Sequence, residues 1–137
     1  MVAAFNSCIK IMKRDEPTYE YLSDTEQQLM HAVDILQSIL DDPTIPIYVS
    51  TITEAELFSH SDLSEEEADA IDTILESVSL VPPVSTIARA AGRIRGTYRL
   101  KLADSFIATT ALFTGSTLLT RNVRDFKNIP PLSVRKI

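Results

Sequence analysis

Five residues of this sequence carry hard oxygen atoms at positions suited to chemistry: Asn6, Glu56, Asp104, Asn122 and Asp125. The set contains no His and no Cys. Oxygen-only donors suit Mg2+ or Mn2+, which take few carboxylates, keep several waters and accept a substrate phosphate, and they disfavour zinc. Converging carboxylates without a cation repel one another and take up protons, so such a group makes most sense around a metal. Held against a phosphate and a water, that metal orients the nucleophile and stabilises the charge that develops as a phosphodiester bond breaks.

Each of these residues also has a plainer use. Glu56 fits an exposed helix face, and Glu54 competes with it for the site; two residues turn about 200° around a helix, so only one of them faces inward, and Glu56 is preferred. Asp104, in a first helical turn, complements the helix dipole. Asn122 and Asp125 suit a turn, and which of them reaches a metal stays open. Ser50 and Thr120 near strand ends are read chiefly as capping residues. His31 and His60 lie within an acidic stretch and are read as surface residues.

The elements that must bring the five together are legible in the apolar spacing. Val2 to Phe5 is strand-like and leads into a helix over 7–13. Ser23 and Glu26 form a capping box before Leu29, Val33, Leu36 and Leu40, an amphipathic helix stopped by Asp41-Asp42-Pro43. Ile45 to Val49 reads as the second strand and Ser50 to His60 as the next helix. Ser64 and Glu67 open a further helix, and Val78 to Val81 is a brief strand before Pro82-Pro83. Val84 to Tyr98 and Ala103 to Phe113 are two helices, the second closed by Gly115. Thr117 to Thr120 is the last central strand, and Leu132 to Val134 an edge strand. This alternation predicts an α/β fold with a mostly parallel sheet covered on both faces, whose ligands bind beyond the carboxyl ends of the strands. All five candidate residues follow strands or open helices.

At 137 residues and 45% hydrophobic, the chain suits one domain, 1–137. It has no apolar run long enough to cross a bilayer, and its first basic residues follow the apolar ones, so a cytoplasmic protein is expected. A single cysteine, Cys8, excludes an internal disulfide and agrees with a reducing compartment. The net charge of −6 conceals strong segregation. Residues 15–88 hold 17 of the 19 carboxylates and no Lys or Arg; all 13 basic residues lie outside, with Asp104 and Asp125 as the only acids there. Local potential attracts a polyanion, so an acidic chain can still bind RNA on a basic face. Arg89, Arg93, Arg95 and Arg99 form two cationic rows on one helix. They suit RNA phosphates, an acidic protein segment, or pairing with the acidic helices.

Three segments carry a family resemblance: Val49-Ser50-Thr51-Ile52-Thr53-Glu54-Ala55-Glu56-Leu57, Leu100-Lys101-Leu102-Ala103-Asp104-Ser105-Phe106-Ile107-Ala108, and Leu118-Leu119-Thr120-Arg121-Asn122-Val123-Arg124-Asp125-Phe126. In order and spacing they resemble the PIN-domain toxins of the VapC group along nearly the whole chain. The resemblance implies a three-layer α/β/α PIN-like domain and Mg2+- or Mn2+-dependent endoribonuclease chemistry. It also implies neutralisation by a small VapB-like antitoxin, and a homodimer. It places Asn6, Glu56 and Asp104 in catalytic, metal-holding positions, and Asp125 with Asn122 as the last-motif residues of which one or both hold the metal. Where the family has its first aspartate, this chain has Phe5-Asn6-Ser7-Cys8. Asn6 offers a neutral carbonyl oxygen, so metal affinity and water activation should both fall. The contrasting expectation is a member that binds RNA or an antitoxin without cutting. A phospho-acceptor domain would need an Asp directly after a central strand and a partner Lys, and neither is evident.

Overall fold

The apolar alternation along each strand decides which layer its side chains enter. In the computed structural model, residues 2–3, 37–59 and 61–137 are described. They form β1 (Val2–Ala3), β2 (Tyr48–Ser50), α1 (Thr51–Leu57), α2 (Glu65–Glu76), β3 (Ser79–Val81), α3 (Ser85–Tyr98), α4 (Leu102–Thr114), β4 (Leu118–Thr120), α5 (Val123–Phe126) and β5 (Val134–Lys136). The five strands make one sheet in the order β3-β2-β1-β4-β5, and every pairing is parallel. Asn6, Cys8, the helix expected over 7–13, His31 and His60 lie outside the described residues. Residues 37–40 are helical, as expected for the end of the helix that Asp41-Asp42-Pro43 stops.

Odd and even strand positions separate the core into two halves. Val49 and Leu119 point to one face, where they pack with Ile39, Leu57, Ile71 and Leu75. Their neighbours Tyr48 and Leu118 point to the other, against Ile94, Ile107, Ala108, Ala111 and Phe126. Helical segment 37–40, α1 and α2 therefore cover one face, and α3, α4 and α5 the other: an α/β/α sandwich, as the spacing predicts. Fully burying one Leu or Ile contributes about 1.5–3 kcal/mol. The sheet is thus held from both sides, and its strand ends are fixed in space.

Helix ends follow the local chemistry. Ser64 and Glu67 cap α2 reciprocally, the Glu67 N–H donating to Ser64 Oγ at 3.2 Å and the Ser64 N–H to Glu67 Oε2 at 2.9 Å. Gly115 ends α4 with φ 62°, the left-handed conformation a glycine adopts without steric cost. Arg99 ends α3 in the same conformation, φ 57° and ψ 39°, at a cost of about 1–2 kcal/mol for a residue with a Cβ.

Three details differ from the expectation. β2 begins at Tyr48 and not at Ile45, because Pro46 has no N–H to give a central ladder. β5 runs over Val134–Lys136 in place of Leu132–Val134: Leu132 is buried in the core, and its N–H closes a turn on the Ile129 carbonyl at 3.0 Å. The four-residue α5 is too short to leave an apolar period in the sequence.

Candidate functional site

Parallel pairing puts the carboxyl ends of β2 and β4 on one rim of the sheet, and the helices that follow them start there. Ser50 leaves β2 and caps α1, accepting the Ile52 N–H at 3.2 Å. Glu56 then comes one and a half turns along α1. Thr120 ends β4, and its Oγ1 accepts the Asn122 N–H at 3.1 Å, which fixes the turn into α5. Asp104 stands in the first turn of α4, where an anion also complements the helix dipole. Glu56, Asp104, Asn122 and Asp125 all line one cavity of about 280 Å³. Glu54 does not line it, as the helical angle predicts.

Within this cavity the Asn122 side-chain amide donates to Asp125 Oδ2. Asp104 is half-buried, and its carboxyl is raised above the ordinary value. Burial is the largest cause, followed by the charges of Asp125 and Glu56, while Lys101 works the other way. Three carboxylates therefore share one space, and the charges of Asp125 and Glu56 favour an added cation beside Asp104. Among the described residues, no three acids close on a single point as a ready-made metal cage. An open array of oxygen donors, with room for water and phosphate, is the arrangement Mg2+ or Mn2+ tolerates. The donor chemistry therefore fits such an ion.

Two cationic residues in the cavity wall, Lys101 and Arg121, were not singled out from the sequence. Both are neighbours of motif residues, Lys101 three before Asp104 and Arg121 one before Asn122, and that adjacency was the available signal. The four arginines Arg89, Arg93, Arg95 and Arg99 are exposed on α3 and at its end. Among the described residues none of them forms an ion pair, so pairing with the acidic helices is not seen there. Arg99 additionally lines a second cavity, which adjoins the first. The charge segregation of the sequence becomes a segregation of layers: Glu54 to Glu76 lie on or between α1 and α2, and Arg89 to Lys127 belong to the α3, α4 and α5 side.

The PIN domain family matches this chain over residues 10–131. The chain belongs to the PIN-domain family. No curated protein sequence matches it. Solved structures with the same PIN fold include VapBC2 from Rickettsia felis bound to a promoter DNA fragment, 21% identical, covering 99% of this chain and 97% of that one, with TM-score 0.70. DNA-bound VapBC from Salmonella typhimurium is 19% identical, covers 98% and 96%, and has TM-score 0.67. VapBC-1 from nontypeable Haemophilus influenzae is 24% identical, with coverage of 98% and 96% and TM-score 0.66. At these identities the likeness establishes the PIN fold. Among the described residues, no helix of this PIN chain is long and apolar enough to cross a membrane.

Proposed function

We propose that this chain is a VapC-type toxin, a single PIN domain over 1–137 that hydrolyses RNA phosphodiester bonds with Mg2+ or Mn2+. In this reading it works in the cytoplasm as a homodimer and is neutralised by a small VapB-like antitoxin. The observation that carries the reading is the convergence of Glu56, Asp104 and Asp125 on one cavity at the carboxyl ends of β2 and β4, with the Asp104 carboxyl raised by burial and then by the charges of its two acidic neighbours.

Asp104, Asp125 and Glu56 would hold the metal, with Asn6 as a fourth donor. When bound, the ion supplies Lewis acidity and lowers the pKa of a water. Asn122 acts as the orienting partner: its amide donates to one Asp125 oxygen and leaves the other free to coordinate. A metal and a proton would compete for the Asp104 carboxylate, so metal affinity is expected to rise with pH. Lys101 and Arg121, in the same wall, offset the repulsion between carboxylates and an incoming phosphate. Asn6 brings no charge, which weakens the metal and slows cleavage relative to an aspartate there. The exposed arginines Arg89, Arg93, Arg95 and Arg99 offer a surface to RNA or to an acidic antitoxin segment.

Calorimetric titration with Mn2+ tests this on the parent chain, Asn6→Asp and Asp104→Ala. Tighter binding by Asn6→Asp, with none in Asp104→Ala, supports one shared metal site. Cleavage of single-stranded RNA by Asn6→Asp, stronger than by the parent, supports the nuclease. Absence of Mn2+ binding in both parent and Asn6→Asp leaves a PIN protein that binds RNA or antitoxin without cutting.

A further inference from the structure

The turn from α3 to α4 uses Arg99 at a backbone position where glycine would be unstrained. At the end of α4, where only the turn is needed, the chain uses Gly115 at nearly the same φ. Strained non-glycine residues gather where their side chains are needed. Arg99 lines a cavity of about 290 Å³ together with Tyr98, Leu100, Lys101, Asp104 and Asp125. That volume is at the small end of ligand pockets. Lys101, Asp104 and Asp125 also line the carboxylate cavity, so the two spaces share a wall. Tyr98 is half-buried and packs against the core cluster of Ile107 and Phe126, which holds its ring in place. Neither Arg99 nor Lys101 forms an ion pair among the described residues.

We infer that this second cavity is a nucleotide subsite for single-stranded RNA, in which a base lies against Tyr98 and an adjacent phosphate meets Arg99 and Lys101. It rests on the nuclease reading above and specifies how the substrate lies across the site. A fixed aromatic ring takes any unstacked base, and that requires a single strand, because paired bases keep their faces covered. A planar guanidinium beside a point-charge ammonium suits a phosphate. The cationic pair sits beside the acids, so a phosphate held there places the next one over the carboxylates.

The test is fluorescence anisotropy with a labelled oligouridylate on the intact chain, in Ca2+, a hard cation that occupies oxygen sites. Arg99→Gly keeps the left-handed turn and removes only the side chain. It is expected to weaken binding about tenfold and to reduce the slope of log affinity against log salt by about 0.7. Lys101→Ala should do the same. Tyr98→Leu should lose about tenfold while Tyr98→Phe retains parent affinity, a contrast that a purely structural tyrosine would not give. Parent affinity and salt slope in Arg99→Gly and Lys101→Ala overturn the subsite, as does a loss confined to the Arg89→Ala, Arg93→Ala double variant. Loss of oligoglutamate peptide binding in Arg99→Gly with RNA binding intact also overturns it, in favour of an acidic protein segment. Cleavage in Mn2+ separates the two readings: RNA binding sensitive to Arg99 with no cleavage by Asn6→Asp keeps the subsite and removes the nuclease, and the reverse pattern does the opposite.

Discussion

Replacing Asp104 by asparagine is expected to move the metal-free and metal-bound proteins in opposite directions. Burial, then Asp125, then Glu56 raise the Asp104 carboxyl, and Lys101 only partly opposes them. A raised carboxyl binds its proton more tightly in the folded state. The stability it contributes is therefore fully present below the ordinary value of 3.8 and is lost as pH rises through the folded value. Asparagine removes that loss. Asp104, Asp125 and Glu56 line one cavity, and two like charges about 8 Å apart repel by about 0.5 kcal/mol in water. The Asp125 and Glu56 pairs together amount to about 1 kcal/mol at low salt, which added salt and Lys101 reduce because the site is open to solvent. Asp104→Asn should accordingly raise the metal-free Tm by about 3 °C near neutral pH, with the gain shrinking on acidification. At the proposed site, Mn2+ at a hundred times its Kd should stabilise the parent by about 2.7 kcal/mol, or about 8 °C, and should barely move the variant. Thermal melts at two salt concentrations, with and without Mn2+, give both readings. A metal-free Tm below that of the parent at every pH would refute the repulsion argument. An undiminished Mn2+ shift in the variant would remove Asp104 from the metal site.

Asn6→Asp is expected to raise Mn2+-dependent RNA cleavage above the parent, measured on a labelled single strand; no gain counts against Asn6 at the metal. Gly115→Ala puts a Cβ into open space at φ 62°, so its cost is backbone conformation alone, about 1 kcal/mol or roughly 3 °C in a melt. A neutral result would mean that the turn relaxes. Ser64→Ala removes one half of the α2 capping box and should cost about 1 kcal/mol by urea unfolding, with Mn2+ binding unchanged because α2 does not line the site. Glu56→Gln should weaken Mn2+ binding more than Glu54→Gln does, by calorimetry; the reverse order would exchange their roles.

Much of this was legible because it is periodic or capped. The apolar steps through Ile71 and Leu75, the Ser64-Glu67 box and the Gly115 stop each specify a local structure by one strong physical preference. The candidate residues after β2 and β4 were legible for a topological reason: parallel strands deliver their carboxyl ends to one rim, so residues 56, 122 and 125 could be expected to meet there, and residue 104 joins them from the first turn of α4. What escaped was short or tertiary. Four residues of α5 leave no period. Leu132 reads as strand because apolar character alone does not tell a core plug from an edge. Lys101 and Arg121 have no distinctive spacing of their own, and only the cavity wall gathers them with the acids. The left-handed turn at Arg99 has no sequence signal, because the residue breaks the glycine preference that would have announced it.

The place of β1 in the sheet has a consequence for biosynthesis. Its two neighbours, β2 and β4, begin at Tyr48 and Leu118, so the first strand made acquires its second partner only when most of the chain exists. Contacts this distant in sequence form late, and a domain folds as a unit. The acids arrive in the order Glu56, Asp104, Asp125, and the rim that gathers them needs β4. On the nuclease reading proposed above, such an order of assembly matters, because the ribosome and its message are the nearest RNA. On that reading the growing polypeptide passes through translation with its proposed cutting site in pieces, and an antitoxin would have only the finished domain to meet.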